Sequence, residues 1–133
     1  MSRLGAAVLD LSALAALVGV VPLAPPEVDT PIAPDVALVD LADLLQVFHD
    51  QRPADVHGDL VLVGAAVSEW VPASRYLATL TELACTRSDL PIADVVALAL
   101  ARTAHLPLVT GLAELAGADP EVAVMVLPRQ RQP

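Results

Sequence analysis

Short apolar runs alternate with amphipathic stretches along most of this 133-residue chain. Brief apolar runs bounded by turn residues are typical of buried strands, whereas apolar positions that repeat every three or four residues indicate helices. The pattern predicts strands at Leu4–Leu9, Glu69–Val71, Leu108–Thr110 and residues 122–127. Residues 60–67 show no period, so they remain open to either a strand or a helix.

Helices and loops are predicted between these strands. Proline suits the first turn of a helix and Ser or Asp can cap it, so Pro34-Asp35, Pro72 and Ser12 are read as helix starts. The predicted helices are 13–18 after Ser12, 35–49, 72–87, 92–105 and a short one at 112–116. Clusters of proline, glycine and acids indicate loops at 22–34, with an extended piece at 30–33, and at 51–59.

The order of these elements predicts the fold class. Strands that alternate with helices favour an α/β fold with a short parallel central sheet flanked by helices on both faces. The first strand and the strand at residues 108–110 are expected to be central. The length suits one domain, placed at residues 1–128, with a polar tail at 129–133.

Composition narrows the classes of partner. Apolar residues make up 56% of the chain and aromatic residues 2%, so the core must be built from Ala, Val and Leu. A net charge of −9 gives no electrostatic footprint for nucleic acid, and any RNA contact would need local arginines or metal ions. Cys85 is alone, which favours a reducing, cytoplasmic location. Residues 4–24 are mostly apolar, but Asp10 and the helix breakers among them argue against a membrane span.

Asp10 is the first candidate site residue. It follows a buried-looking strand, and an unpaired carboxylate there is costly unless it meets a metal, a donor or water. Acids at the carboxyl ends of parallel strands also lie where open α/β sheets bind ligands. Asp40, on a helix face, and Asp94, in a first helical turn, are placed to join it. Two or three carboxylates suffice for Mg²⁺, which keeps several of its waters.

Each acid also has a purely structural interpretation. Asp94 can complement a helix dipole, and Asp40 with Asp43 can form a solvated helix face. Glu114 is expected to be an exposed helix residue. The three histidines are far apart in sequence, so no zinc site is predicted.

Four stretches resemble the motifs of the PIN domain family. Residues 8–14 (VLDLSAL) look like its opening, where a strand ends in Asp-x-Ser/Thr-Ala. Residues 34–45 and 90–101 are similar to its second and third motifs, with Asp40 and Asp94 as their acids. Residues 106–111 resemble the strand before the fourth motif, but Leu112 stands where that family usually has Asp.

The resemblance implies a PIN-like three-layer α/β sandwich and a VapC-type toxin of a toxin–antitoxin pair. Such proteins cut single-stranded RNA with Mg²⁺ or Mn²⁺, here held by Asp10, Asp40 and Asp94. The implied partners are an RNA substrate and an antitoxin protein. Excess apolar positions on the helices at 36–49 and 72–87 separately predict a homodimer or an antitoxin complex that uses one of these helices. With Leu112 at the fourth position, the alternative is a catalytically degenerate binding module that pairs with an antitoxin-like partner. A receiver-like regulator is disfavoured, because it needs a lysine near the last strands and the chain has none.

Overall fold

A computed structural model describes residues 3–130 and arranges them around one sheet. The strands are β1 (Leu4–Leu9), β2 (Val28–Pro34), β3 (Glu69–Val71), β4 (Leu108–Thr110) and β5 (Val124–Val126). The helices are α1 (Leu11–Leu17), α2 (Asp35–Phe48), α3 (Pro53–Ala66), α4 (Leu77–Thr86) and α5 (Ile92–Ala104). All neighbouring strands are parallel, in the order β3-β2-β1-β4-β5. The predicted parallel sheet, with β1 and β4 inside it, is confirmed.

Alternation along β1 divides the core into two layers. Successive side chains of a strand point to opposite faces. Ala7 and Leu9 belong to the cluster with α1, α2 and α3, whereas Val8 belongs to the cluster with α4 and α5. All three side chains are fully buried. Helices therefore cover both faces, and the chain is a three-layer α/β sandwich.

The loop predicted at residues 22–34 is a strand in its second half, where the extended piece predicted at residues 30–33 is part of a longer strand. Residues 28–34 form β2, which pairs with both β1 and β3. Proline within a strand removes a ladder donor and argues against a central strand. Pro31 is tolerated because its carbonyl still accepts from the Ser68 N–H at 2.8 Å and its side chain is buried.

The prediction of a loop at residues 51–59 was also wrong, and the ambiguous residues 60–67 are largely helical. Residues 53–66 form α3, so only residues 51 and 52 of that loop and residue 67 lie outside the helix. Asp50 and Gln51 adopt left-handed backbone angles, φ 52° and 59°, so the chain reverses tightly between α2 and α3. His49 Nε2 then pairs with Asp59 Oδ2 at 2.6 Å across the two helices. Contacts with α2 therefore stabilise α3, and the local sequence does not reveal such contacts.

Other boundaries differ by a turn. The helix predicted from Pro72 divides into a 3₁₀ turn at Ala73–Arg75 and α4, because Tyr76 leaves helical geometry, with φ −134°, and buries its ring. The short helix predicted at 112–116 is a 3₁₀ turn at Ala113–Leu115. The last strand is shorter than predicted.

Two further expectations concern the whole chain. Across residues 3–130, no helix is both long enough and apolar enough to cross a membrane. The division into a domain at residues 1–128 and a tail at 129–133 stays a prediction. Arg129 and Gln130 are joined to the loop after α1 by a bridge and a backbone hydrogen bond, whereas residues 131–133 lie outside the described residues.

The orientation of α2 can be tested with two leucines one turn apart. Leu41 is fully buried, whereas Leu44 is 37% exposed. Leu41→Ala should lower the free energy of unfolding by about 2–5 kcal/mol, because it leaves a cavity under the sheet. Leu44→Ala is the matched control and should cost about 1 kcal/mol or less. Equal losses for the two variants in urea denaturation would contradict this orientation of the helix.

Candidate functional site

The carboxyl ends of β1 and β4 mark the point where the strand order reverses. From β1 the chain proceeds to β2 and β3 on one side, while β4 and β5 lie on the other. Ligands of open α/β sheets bind in the crevice at such a point. Asp10 directly follows β1 and Gly111 directly follows β4. Both residues therefore lie at this crevice.

Asp10 is the buried carboxylate of the site. It is 4% exposed and caps α1, a role predicted for Ser12. Its Oδ1 accepts from Ser12 Oγ at 2.6 Å and from the Ala13 N–H at 2.9 Å, and its Oδ2 accepts from Thr110 Oγ1 at 2.5 Å. Burial raises the pKa of Asp10, although these hydrogen bonds favour the charged form and oppose the shift.

Asp94 shares a cavity with Asp10. It lies in the first turn of α5, and it is half-buried. Burial raises the pKa of Asp94, and the negative charges of Asp10 and Glu114 raise it further. The cavity measures about 250 Å³. Apart from the two acids and Ser12, its walls are apolar, formed by Leu11, Ala15, Val21, Leu44, Ala93 and Leu112.

Asp40 lies beside this cavity. It is exposed on α2 and lines an adjoining cleft of about 490 Å³, together with Asp43. The cleft and the cavity share Leu11, Leu44 and Ala93 as walls. Within residues 3–130, no three His, Cys, Asp or Glu side chains are grouped so that they could hold a metal ion. The structure therefore pairs Asp10 with Asp94, and the use of all three acids as metal ligands stays a prediction.

Position 112 brings an apolar side chain where the resemblance implies an acid. Leu112 lines the cavity beside Asp10 and Asp94. Glu114 is exposed, as predicted, but its charge contributes to the raised pKa of Asp94. Glu114 therefore adds negative charge near the site, and it stands two residues after the position of the fourth motif's acid.

The donor set of the cavity suits a divalent cation, because two carboxylates, Asp10 and Asp94, line it. A carboxylate offers about four lone-pair positions, and Asp10 uses three of them on Ser12, Ala13 and Thr110. Among residues 3–130, Asp94 takes part in no side-chain hydrogen bond or ion pair. Mg²⁺ needs one or two carboxylates when it keeps its waters, so Asp10 and Asp94 suffice as protein ligands.

Thr110 and Gly111 are site residues that the sequence analysis did not identify. Thr110 is fully buried and donates to Asp10, and the Gly111 N–H donates to Ser12 Oγ at 2.7 Å. An added Cβ on Gly111 would overlap Leu23 Cδ1 and would lie 3.3 Å from Ser12 Oγ, so a larger residue there would require the flexible end of Leu23 to move. The sequence did contain a signal for Thr110. It ends a strand that was expected to be central, like the strand that ends just before Asp10.

Comparison with known proteins defines the fold. No protein-family model matches the chain, and no curated protein matches it in sequence. Among solved structures, a chain of VapBC2 from Rickettsia felis, solved with a DNA fragment from its promoter, aligns with TM-score 0.67 and 12% identity, covering 92% of this chain and 99% of that chain. A chain of VapBC-5, of the VapBC toxin–antitoxin family of Mycobacterium tuberculosis, gives TM-score 0.60 and 20% identity over 91% and 96%. At such identities the likeness shows the fold alone, and the predicted PIN-like three-layer fold is confirmed.

The two raised pKa values predict how stability depends on pH. A carboxyl group whose pKa is higher in the folded state binds its proton more tightly there. Its contribution to the free energy of unfolding therefore falls as the pH rises from about 3.8, the ordinary pKa, through the raised pKa. Asp94→Asn should therefore melt at a higher temperature than the metal-free wild type at pH 7. The difference should vanish below pH 3.8.

Asp43→Asn is the matched control, because it removes the same charge from the exposed face of α2. Thermal melts in the presence of a chelator, at several pH values, measure the effect. An Asp94→Asn protein that is no more stable than wild type at pH 7 would contradict repulsion within the cavity.

Proposed function

We propose that the chain is a VapC-like, metal-dependent endoribonuclease of the toxin–antitoxin type that cuts single-stranded RNA, with weak activity. One observation carries the proposal: Asp10 and Asp94 line one small cavity at the crevice of the sheet, and both have raised pKa values. Carboxylates placed together at such a cost are typical of functional sites. The likeness to VapBC structures supports the same class of protein.

Asp10 and Asp94 would hold Mg²⁺ or Mn²⁺, and Asp40 lines the adjoining cleft. When bound, the ion would polarise a phosphate oxygen and lower the pKa of the attacking water. The Ser12 and Thr110 hydroxyls orient the Asp10 carboxylate. The apolar walls limit the water around both acids, which strengthens their electrostatic interactions.

RNA would meet little positive charge on this protein. Arg75, Arg87 and Arg102 pair with Glu69, Asp89 and Glu121 at 2.5, 2.9 and 2.5 Å, so acids offset their charges. With a net charge of −9, affinity for RNA phosphates depends on the bound cation. The scarcity of positive charge therefore supports weak cleavage of RNA.

A binding module without catalysis is the second candidate. Leu112 favours it, because an apolar side chain occupies the cavity wall where the resemblance implies an acid. With fewer acids, a second ion or the attacking water would be poorly held. Such a module would keep the fold and the partner surface and would lose the reaction.

The partner surface that we propose lies on α2. Its outward side chains include Val39, Val47 and Phe48, exposed by 71, 80 and 55%. Exposed apolar side chains grouped in this way mark interaction surfaces. We infer that a second copy of the chain docks there, and that an antitoxin protein is a further partner. We also infer that the protein acts in the cytoplasm, where RNA is present and Cys85 stays a free thiol.

Cleavage should require the cation and both acids. We expect slow cutting of single-stranded RNA that depends on Mn²⁺ or Mg²⁺, and we expect it to be lost in Asp94→Asn. The cation should also raise the melting temperature of the wild type, since saturation at 100 times the dissociation constant stabilises the fold by about 2.7 kcal/mol. Glu27→Gln serves as the control in both assays, because Glu27 is exposed and lies beside Leu4 at the opposite end of the sheet.

Leu112→Asp separates the two candidate functions. A third carboxylate in the cavity should raise the cleavage rate if the domain is a ribonuclease. Circular dichroism must first show that the variant is folded, because a carboxylate buried without a cation destabilises the protein. A folded Leu112→Asp protein that cuts no RNA on a broad panel of single strands would favour the binding module.

The α2 surface can be tested by self-association. Val39→Arg should weaken a homodimer by about tenfold or more, because it places a charge in an apolar contact. Val61→Arg is the matched control, because Val61 is 56% exposed on α3. Sedimentation equilibrium gives both dissociation constants. A wild-type chain that stays monomeric at high concentration, or equal losses for both variants, would contradict this interface.

A further inference from the structure

The end of the chain pairs with the loop that follows α1. The Ala24 N–H donates to the Pro128 carbonyl at 2.9 Å, and the Gln130 N–H donates to the Pro22 carbonyl at 3.1 Å. Between these bonds, Leu23 and Arg129 form an isolated antiparallel bridge. Residues 20–24 are here named the strap, and residues 128–130 the latch.

The strap lies against the acid site. Val21 lines the cavity that holds Asp10 and Asp94. Leu23 lies so close to Gly111 that a Cβ there would overlap its Cδ1. The Gly111 N–H donates to Ser12 Oγ, which in turn donates to Asp10 Oδ1. The latch is thus connected to the buried carboxylate through the strap, Gly111 and Ser12.

The strap is a short segment that is held by the latch and by packing of Val20, Val21 and Leu23 against the core. Gly19, with φ 74°, stands before it, and two prolines follow it at positions 25 and 26. Its backbone bonds to the rest of the domain include that of the Val20 N–H to the Ala15 carbonyl at 3.2 Å. The latch begins next to Leu127, whose N–H donates to the Thr110 carbonyl at 2.8 Å. The latch is therefore anchored at β4, and it supplies two of the backbone hydrogen bonds that hold the strap.

We propose that the latch holds the strap over the acid cavity, and that release of the latch opens the cavity and loosens the contact of Gly111 with Ser12. Short pairings at a surface open locally at much lower free energy than a core strand. Opening the latch removes two backbone hydrogen bonds from the strap and leaves β5 in place. A ligand that captured residues 128–130 would then increase access to Asp10 and Asp94. That regulatory consequence rests on the proposed function, whereas the coupling itself does not.

Amide hydrogen exchange on the full-length chain tests this coupling. Gln130→Pro removes the N–H that bonds to Pro22, and Gln130→Ala is the matched control that keeps it. In Gln130→Pro, exchange at the Ala24 and Gly111 amides should accelerate together, by about tenfold or more. The Val8 amide, which donates to the Pro107 carbonyl inside the sheet, should be unchanged.

A second variant separates the two contacts of the strap. Leu23→Ala keeps the backbone pairing and removes the side chain from Gly111, so Gly111 should exchange faster while Ala24 does not. An unchanged Gly111 in Gln130→Pro, whether or not Ala24 accelerates, would overturn the proposal. The measurement uses no metal and no RNA, so its failure would leave the ribonuclease proposal intact. A chain that exchanges as expected and cuts no RNA would contradict only the ribonuclease.

Discussion

Burial of the Asp10 carboxylate between α1 and β4 is the constraint on which the site depends. A carboxylate taken out of water without partners is costly, and Asp10 avoids most of this cost through three donors. Because one donor is Thr110, the end of β4 must lie level with the end of β1. Thr110 Oγ1 also accepts from the Leu112 N–H at 3.0 Å, which fixes the turn after β4. The same network therefore orients the acid and sets the course of the chain that carries Leu112.

The electrostatics of the cavity go beyond what the fold requires. An asparagine at position 10 could still accept from Ser12 and Ala13 and could interact with Thr110, so the structural role does not demand a charge. Asp94 adds a second carboxylate to the same apolar cavity, and its raised pKa reflects burial followed by repulsion. A divalent cation would offset both costs at once, because it would place positive charge beside the two carboxylates. The acid pair therefore supports the cation site that we propose, because the core alone does not require either charge.

Patterns along the sequence predict those elements whose stability is local. β1, β4 and α5 show clear apolar patterns, and their positions agree with the structure within a residue or two. Only residues 30–33 of β2 were predicted to be extended, because prolines obscure the pattern, and pairing with strands on both sides makes the longer strand. α3 was missed because its first turns contain Gly58 and polar residues, while packing on α2 and the His49–Asp59 pair hold it. For the site, the sequence placed Asp10 and Asp94 at the right edge of the sheet. It could not show that Asp40 lies in the next cleft, since that depends on how α2 is rotated.

The cavity is assembled from parts of the chain that are far apart in sequence. Asp10 and Ser12 come from the first strand and helix, Leu44 from α2, and Asp94 from α5. Val21 comes from the strap, which is joined to residues 128–130 near the other end of the chain. Such a cavity exists only when the whole domain is folded, because its walls and its two acids come from different segments of the chain. Its geometry is consequently sensitive to the weakest of these segments. In residues 3–130 the strap is joined to the domain by few hydrogen bonds, so variation in access to the acids is expected there rather than in the sheet.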